Sequence, residues 1–543
     1  MATTLFFSFL GSLVICMALI PPLMASAGRL HMLDLPGGRR MHSGSMAKVG
    51  GIALAAGAFI GMLMWGPKDQ AAVASLVGGA IILLFGIWDD RVGLTYRTKF
   101  AGQALAAFVV ITFGGVQITS LPLISVEWFG PWVGIPLTFV TLIAVTNAVN
   151  LSDGLDGLAG GLSLISFAAT AYLSFQTDDP FLMLMVVSVL GGLLGFLRFN
   201  THPAKIFMGD AGSQFLGFFL GVTGLALANP AHGPYGLMVA LFVWGLPVLD
   251  MVGVMAQRLR EGRSPFIGDR NHLHHKLLGL GWPHRQAVML IYLGQAAMVA
   301  LGYLLRWQSD WVLVTIYLVV AGCIVSLFVR STTHETGISV AQEVWHSGKK
   351  IGWIERHPGL AYLPTHLLAL AVTGFLLASV VLPHTVPSDA GVMAAGLFLV
   401  IAIGMRCFPR MTPVLVRAGL YVGSTFLLYF GEFGNLPGTS PWMRPDNLFL
   451  IGLAGLVVLV LRLSLVRQFE TTPLDSLMVL LAMLVPFLPE LHVGNINLSV
   501  LSAKLMVLFF AFELVLHAYG ERVALAGLVA LWLLGGLVVH VWW

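Results

Sequence analysis

The sequence predicts an all-α polytopic membrane protein, and three observations carry that prediction. Of its 543 residues, 57% are hydrophobic and only 10% are charged, whereas a soluble domain carries about 25% charged residues. Mean hydropathy is +0.88, so the chain holds far more apolar surface than one water-exposed fold can hide. The apolar residues come in unbroken runs of about twenty without alternation, which suits membrane helices and argues against a barrel of short alternating strands.

Taken in order, those runs give about eighteen candidate spans. The first group covers 4–26, 48–65, 71–87, 100–116, 131–149, 157–176, 181–197, 213–229, 235–256, 286–305 and 311–329. The second covers 362–383, 389–405, 415–431, 447–462, 475–489, 500–516 and 523–541. The run from Leu5 to Met24 has no basic stretch before it, so it reads as a first span and not as a cleaved signal. Cys16, Cys323 and Cys407 lie in or beside apolar runs without metal or redox spacing, and read as structural.

Basic residues set the orientation. Arg29, Arg39, Arg40 and Lys48 follow the first span, and Arg91, Arg97 and Lys99 the third. Arg198 and Lys205 follow the seventh, and Arg258, Arg260, Arg263, Arg270, Lys276 and Arg285 the ninth. All lie on one side, which should be the cytoplasm, with the N-terminus outside. The polar stretch from Ser331 to Pro358 is the best internal boundary. It predicts a domain at 1–330, a cytoplasmic linker at 331–361 and a transmembrane extension at 362–543. The extension has few ionisable residues and no legible polar cluster, so no second catalytic site is assigned there.

Every chemically suggestive stretch falls on the basic side. Asn147 to Gly161 reads NAVNLSDGLDGLAGG, with Asp153 and Asp156 three residues apart. On a helix that spacing would put both on one face, and Asn147 and Asn150 lie one turn upstream. A plain Asp-Gly turn is the bland reading. Carboxylates at a bilayer edge are costly to desolvate, which favours function. Trp88-Asp89-Asp90-Arg91 ends the third span; adjacent carboxylates can hold a general base or share a divalent cation with substrate phosphates, though alone they could be a solvated helix end. The stretch Asp34 to Gly51 offers Asp34, two arginines, His42 and Lys48. In Phe199 to Gly217, Asp210 opens a span whose N-terminus could cap itself or bind phosphate-like anions, with Lys205 adding positive charge. In the loop 257–285, His272, His274 and His275 cluster with Asp269, Arg270 and Asn271. Zinc is conceivable there, but no cysteine is near and Arg270 and Lys276 flank the cluster, so phosphate or nucleotide contact suits it better. Asp250 faces the same side and either joins this site or pairs with Arg258.

Together these carboxylates, histidines and cations suit phosphoryl transfer at a membrane surface, where catalysis is mostly positioning and charge stabilisation. A lipid substrate would enter sideways and a soluble phosphate compound from the cytoplasm; nothing points to nucleic acid.

In this order the stretches resemble the polyprenyl-phosphate N-acetylhexosamine-1-phosphate transferase family, which includes the phospho-MurNAc-pentapeptide translocase. The His-Leu-His-His form at 272–275, the D-x-P-x-x-R-x-x-H pattern at 34–42 and IFMGDAGS at 206–213 are more similar to its GlcNAc-1-phosphate transferase branch. The resemblance covers roughly 1–330. It implies transfer of a HexNAc-1-phosphate, GlcNAc by default, from a UDP-sugar to undecaprenyl phosphate. The products would be the lipid-linked pyrophosphoryl sugar and UMP, opening a surface glycan. It implies magnesium as cofactor, with manganese as an alternative, a bacterial inner membrane, a cytoplasmic active site, and an option of homodimers. Asp89 would be the base beside Asp90, and Asp210 a metal ligand. Asp153 and Asp156 would position metal or nucleotide. Asn150, Lys48, His42, Lys205, Arg270, His272, His274 and His275 would contact substrate. Ala47 stands where family members often have proline, and 331–543 lies beyond the resemblance. The competing readings are a transporter or flippase, which would put polar residues near the midplane and show repeats, and a metal-dependent lipid-pyrophosphate hydrolase.

Overall fold

The computed structural model describes residues 2–34, 45–121, 130–177, 179–229, 234–264, 271–331, 358–381, 388–407, 412–433, 445–463, 492–493, 496–519 and 535–536. Tertiary contacts divide the chain into two compact units, Thr3–His346 and Ser347–Trp543.

In the first unit every predicted span coincides with a helix. These are α1 (Ala2–Ser26), α2 (Gly50–Trp65), α3 (Gln70–Val92), α4 (Tyr96–Thr112), α5 (Pro131–Leu151), α6 (Leu158–Phe175), α7 (Pro180–Asn200), α8 (Gly209–Leu227) and α9 (Leu237–Arg260), then α11 (His284–Leu304) and α12 (Asp310–Ser331). Among the described residues seven helices are long and apolar enough to cross a membrane. With the large hydrophobic side chains these helices expose, Trp132 and Leu84 among them, they make this a multi-pass membrane protein. Polar caps set several helix starts: the side chains of Asp69 and Asp179 accept backbone N–H bonds at the starts of α3 and α7, and Thr95 does so for α4.

Helix α8 is the centre of the unit. Apart from its first residues and Thr223, whose hydroxyl bonds back to the Phe219 carbonyl, it is apolar all round, and Ala211 through Leu225 are buried, as expected of a helix packed on every side. It packs against α2, α3, α5, α6 and α9. Everything that meets the N-terminus of α8 therefore meets at one edge of the bundle.

Two features depart from the uniform helices read from sequence. The span expected at 235–256 is broken within α9 at Gly245, whose φ of 38° and ψ of −120° leave the helix. Pro247 has no N–H to give the carbonyl of Val243. That carbonyl instead accepts from the side chains of Ser166 (2.8 Å) and Gln295 (2.9 Å), and the Leu246 N–H donates to Gln295 Oε1 at 2.8 Å. A break at membrane depth survives because protein side chains satisfy the freed backbone. Second, a short antiparallel ribbon pairs β1 (Leu33–Asp34) with β2 (Met46–Ala47), Leu33 opposite Ala47 and Asp34 opposite Met46. The ribbon continues into the core: Phe207 N–H donates to the Ala47 carbonyl at 2.9 Å.

The second unit contains helices Pro358–Val381, Ser388–Cys407, Thr412–Phe433, Pro445–Leu463 and Leu498–Ala518. The spans predicted at 475–489 and, apart from 535–536, at 523–541 lie outside the described residues. The structure brings ionisable groups together across two of its helices, with Arg417 Nε 3.2 Å from Glu513 Oε1 and the Tyr421 hydroxyl donating to the same carboxylate. The residues are 92 or more positions apart, so no local spacing could have announced them.

Candidate active site

The site begins with how α3 ends. Gly93, at φ 71°, stops the helix, and its N–H returns to the Asp89 carbonyl. The next N–H, of Leu94, donates to Asp89 Oδ1 at 2.6 Å. Asp89 is thereby buried and held at the mouth of the α3–α4 turn. Its neighbour Asp90 points at α8: Oδ1 accepts the N–H of Asp210 and Oδ2 that of Ala211, both at 2.9 Å. The free N–H groups at the start of α8 therefore bind the protein's own carboxylate. That corrects the expectation of a phosphate-like anion at this helix end and gives Asp90 an anchoring role.

Asp210, so fixed, faces two side-chain partners, Asn150 and Lys99. Asn150 Nδ2 donates to its Oδ1 at 2.7 Å and also to Ser213 Oγ at 2.8 Å. Lys99 Nζ donates to its Oδ2 at 2.7 Å and also meets Asp89. A lysine bridging the two carboxylates was read from sequence only as an orientation signal. An available clue was its place near the start of α4, where a cation opposes the helix dipole and needs another reason to be there.

The central stretch is not helical as far as the two aspartates. Helix α5 carries Asn147 and Asn150 and stops at Leu151; residues 152–157 form successive turns. Asp153 and Asp156 still reach the same cavity, from a turn and not from one helix face. Asp156 Oδ2 lies 2.7 Å from His202 Nδ1 and accepts the Ala204 N–H at 3.1 Å. Asn200 holds the turn, accepting the Gly157 N–H at 3.0 Å.

These side chains line one cavity of about 910 Å³. Among the described residues its walls carry six carboxylates (Asp34, Asp89, Asp90, Asp153, Asp156 and Asp210) against Lys48 and Lys99. Lys48 is paired with Asp34 at 3.0 Å across the ribbon. Negative charge is therefore in excess. Burial, followed by the charges of Asp210, Asp90 and Asp156, pushes the Asp153 carboxyl up to about 7. A cluster of oxygen donors short of positive charge fits a hard divalent cation such as magnesium.

The raised carboxyl has a consequence for stability. An unfolded aspartate titrates near pH 3.9. Between about pH 4 and pH 7 the unfolded chain has released that proton while the folded chain keeps it, so stability falls as pH rises through this window and levels off above it. Without divalent ions, Asp153→Asn is expected to gain thermal midpoint relative to the parent from about pH 5 to pH 7.5. A difference that stays constant across that range would refute the assignment.

The histidine loop divides. His275 lines the cavity. His272 is buried and pairs with Asp250 at 2.8 Å, while the other oxygen of Asp250 accepts the Leu273 N–H at 2.9 Å. Asp250 thus starts α10 (Leu273–Gly279). His274 lies under the Asp153–Asp156 turn, so close that a Cβ on Gly154 would stand 2.1 Å from its Nε2. Burial, with His275 adding to it, pulls the His274 imidazole down to about 3, so it stays neutral. His274 therefore supports the turn and His272 is held by Asp250, and of the three only His275 is placed to meet a ligand in the cavity. Lys205 is exposed and outside the cavity lining. His42 and Arg270 lie outside the described residues. Sequence reading passed over Asn200, His202, Phe207 and His284, all of which line the cavity.

The profile described as glycosyl transferase family 4 matches residues 72–228, the stretch that contributes Asp89, Asp90, Lys99, Asn150, Asp153, Asp156 and Asp210. A probable undecaprenyl-phosphate N-acetylglucosaminyl 1-phosphate transferase of Bacillus subtilis is 32% identical over 288 residues, 53% of this chain and 80% of the relative. The chain belongs to this family. The undecaprenyl-phosphate alpha-N-acetylglucosaminyl 1-phosphate transferase of Escherichia coli K12 is 32% identical over 302 residues, 54% of this chain and 82% of its own. A decaprenyl-phosphate N-acetylglucosaminephosphotransferase of Mycobacterium tuberculosis is 37% identical over 308 residues, 50% of this chain and 75% of its own. The resemblance read from the ordered motifs is borne out. Each of these family members aligns with about half of the chain.

Proposed function

We propose that the protein transfers GlcNAc-1-phosphate from UDP-GlcNAc to undecaprenyl phosphate, giving undecaprenyl-pyrophosphoryl-GlcNAc and UMP. The observation that carries this reading is the pair Asp89 and Asp210 sharing Lys99, with Asp153 beside them, in a wide cavity at one edge of a membrane bundle. The names of the relatives support the substrates. A phosphate oxygen of the lipid attacks the β-phosphorus of the sugar nucleotide; the bond from that phosphorus to the bridging oxygen breaks, and UMP leaves with the oxygen. Asp89 takes the proton of the lipid phosphate. Asp210 and Asp153 would hold magnesium (or manganese), with Asp90 fixing the backbone of Asp210. Magnesium bound there would supply neutralisation of the diphosphate charge. Lys99 holds the two carboxylates apart from each other's charge, and Asn150 orients Asp210. Lys48 and His275 face the incoming phosphates. Eighteen spans, an outside N-terminus, an active site on the cytoplasmic face of a bacterial inner membrane, and homodimerisation belong to this proposal.

The test is purified protein with undecaprenyl phosphate, magnesium and a panel of UDP-sugars, following UMP release and sugar transfer together. Sugar-lipid formed in step with UMP, and lost with EDTA, is the expected result. UMP without sugar-lipid would make the protein a hydrolase, and no reaction with any donor would overturn the reading.

A further inference from the structure

Beside the carboxylate cluster, the same cavity holds a different set of donors. Asp156 from the turn after α5, His202 from the loop after α7 and His284 from the start of α11 bring one carboxylate oxygen and two imidazole nitrogens within 4.8 Å of one another. An Asp–His pair would need a single imidazole. Here a second one, 82 positions along the chain, stacks on the first with ring centroids 4.1 Å apart and planes 22° apart. Its Nε2 lies 3.5 Å from the Asp156 carbonyl, at the outer edge of a hydrogen bond. The three residues are half-buried and all line the cavity.

We propose that Asp156, His202 and His284 form a second metal site, for a d-block divalent cation of the zinc class. The donor set separates it from the oxygen-only cluster around Asp210. Two imidazoles and one carboxylate select zinc over magnesium, and three protein ligands with a fourth position open to a cavity is the pattern of an accessible zinc. Tetrahedral bonds of about 2.0–2.1 Å set ligand atoms roughly 3.3 Å apart. The Asp156–His202 contact, 2.7 Å now, opens slightly to reach that spacing, and His284 closes by side-chain rotation. Asp156 carries its own outer support, the Ala204 N–H on Oδ2 at 3.1 Å, as metal-bound carboxylates do. The site is not the His272–His275 loop, whose His272 and His274 are turned into the protein and already placed against Asp250 and Gly154.

The experiment uses the full chain in detergent, stripped with chelator and returned to excess magnesium. Zinc bound per chain is measured by elemental analysis, and cobalt(II) is added as a spectroscopic substitute. The expected result is one tight zinc equivalent and the visible absorption of tetrahedral cobalt. Both should be lost in His284→Ala and His202→Gln, which should bind weaker by more than the about 10–100-fold that removal of an outer-shell partner costs; His275→Ala should keep them. Zinc binding that survives both His284→Ala and His202→Gln, or a parent protein that takes up none, would overturn the proposal. A thermal transition in each zinc-free variant shows that it is folded, and two variants guard against one failing to fold. Zinc in the site should also inhibit sugar-phosphate transfer, because it occupies the cavity wall. That consequence rests on the transferase reading; the binding measurement does not, so the two can fail separately.

Discussion

Asp89→Asn and Asp210→Asn are each expected to lower turnover by at least about a thousandfold, the upper range for losing a general base or a charge-stabilising group. The thermal midpoint should hardly move. Each substitution keeps the shape of the side chain and its ability to accept. In Asp89→Asn the Leu94 N–H, now 2.6 Å from Oδ1, still finds an acceptor. In Asp210→Asn the carbonyl oxygen can still take the Asn150 amide that donates to it at 2.7 Å. What is lost is the charge and, on the oxygen that meets Lys99, the acceptor, which becomes an amide donor. Lys99 would retain one carboxylate partner in either variant, so no isolated buried cation is left to unfold the protein. The two variants should differ in magnesium dependence. Asp210→Asn should need much more magnesium to reach its residual rate, since Asp210 is the assigned ligand, and Asp89→Asn should not. Single-turnover UMP release against magnesium concentration measures both. Near-parental turnover in either variant would remove that residue from the assigned chemistry.

Much of this arrangement could be read from sequence, and the reasons differ by feature. The first-unit helices were legible because runs of apolar residues about twenty long have one cheap solution in a bilayer. The aspartates were legible because carboxylates at the ends of such runs are expensive and so mean something. What could not be read was which partner each would find. Lys99 and Asp210 are 111 positions apart and Asp90 and Ala211 are 121 apart; only the packing of α3 and α4 around α8 brings them together. The same limit explains His272 and His274. In the sequence they resemble His275, yet Asp250 holds His272 just before α10, and that short helix puts His274 inward and His275 toward the cavity. The break in α9 had a local signal in Gly245 and Pro247, but a window that averages hydropathy over a whole span smooths it away.

Gly51→Ala tests whether the site depends on helix packing as the structure implies. Gly51 opens α2 where it crosses the first turn of α8: its N–H donates to the Met208 carbonyl at 2.9 Å, and Gly50 N–H to the Phe207 carbonyl at 3.1 Å. A Cβ on Gly51 would lie 2.2 Å from the Gly212 nitrogen and 2.4 Å from its Cα. Those are backbone atoms and cannot rotate away, so either α2 or the start of α8 must move. Close backbone approach through small residues is how membrane helices pack without a hydrophobic driving force between them. Moving α8 carries Asp210 with it, and pulls its N–H and that of Ala211 off Asp90. A displacement of about 1 Å at reacting groups costs about a hundredfold in rate, while overpacking a tight contact costs about 1–3 kcal/mol of stability. Gly51→Ala is therefore expected to lose about a hundredfold in turnover with a folded but less stable protein. An alanine at Gly253, around which a Cβ would meet nothing, is the matched control and should leave both unchanged. If Gly51→Ala kept full activity with a lowered thermal midpoint, α2 and not α8 would be the element that yields, and the position of Asp210 would be set by α3, α4 and α5.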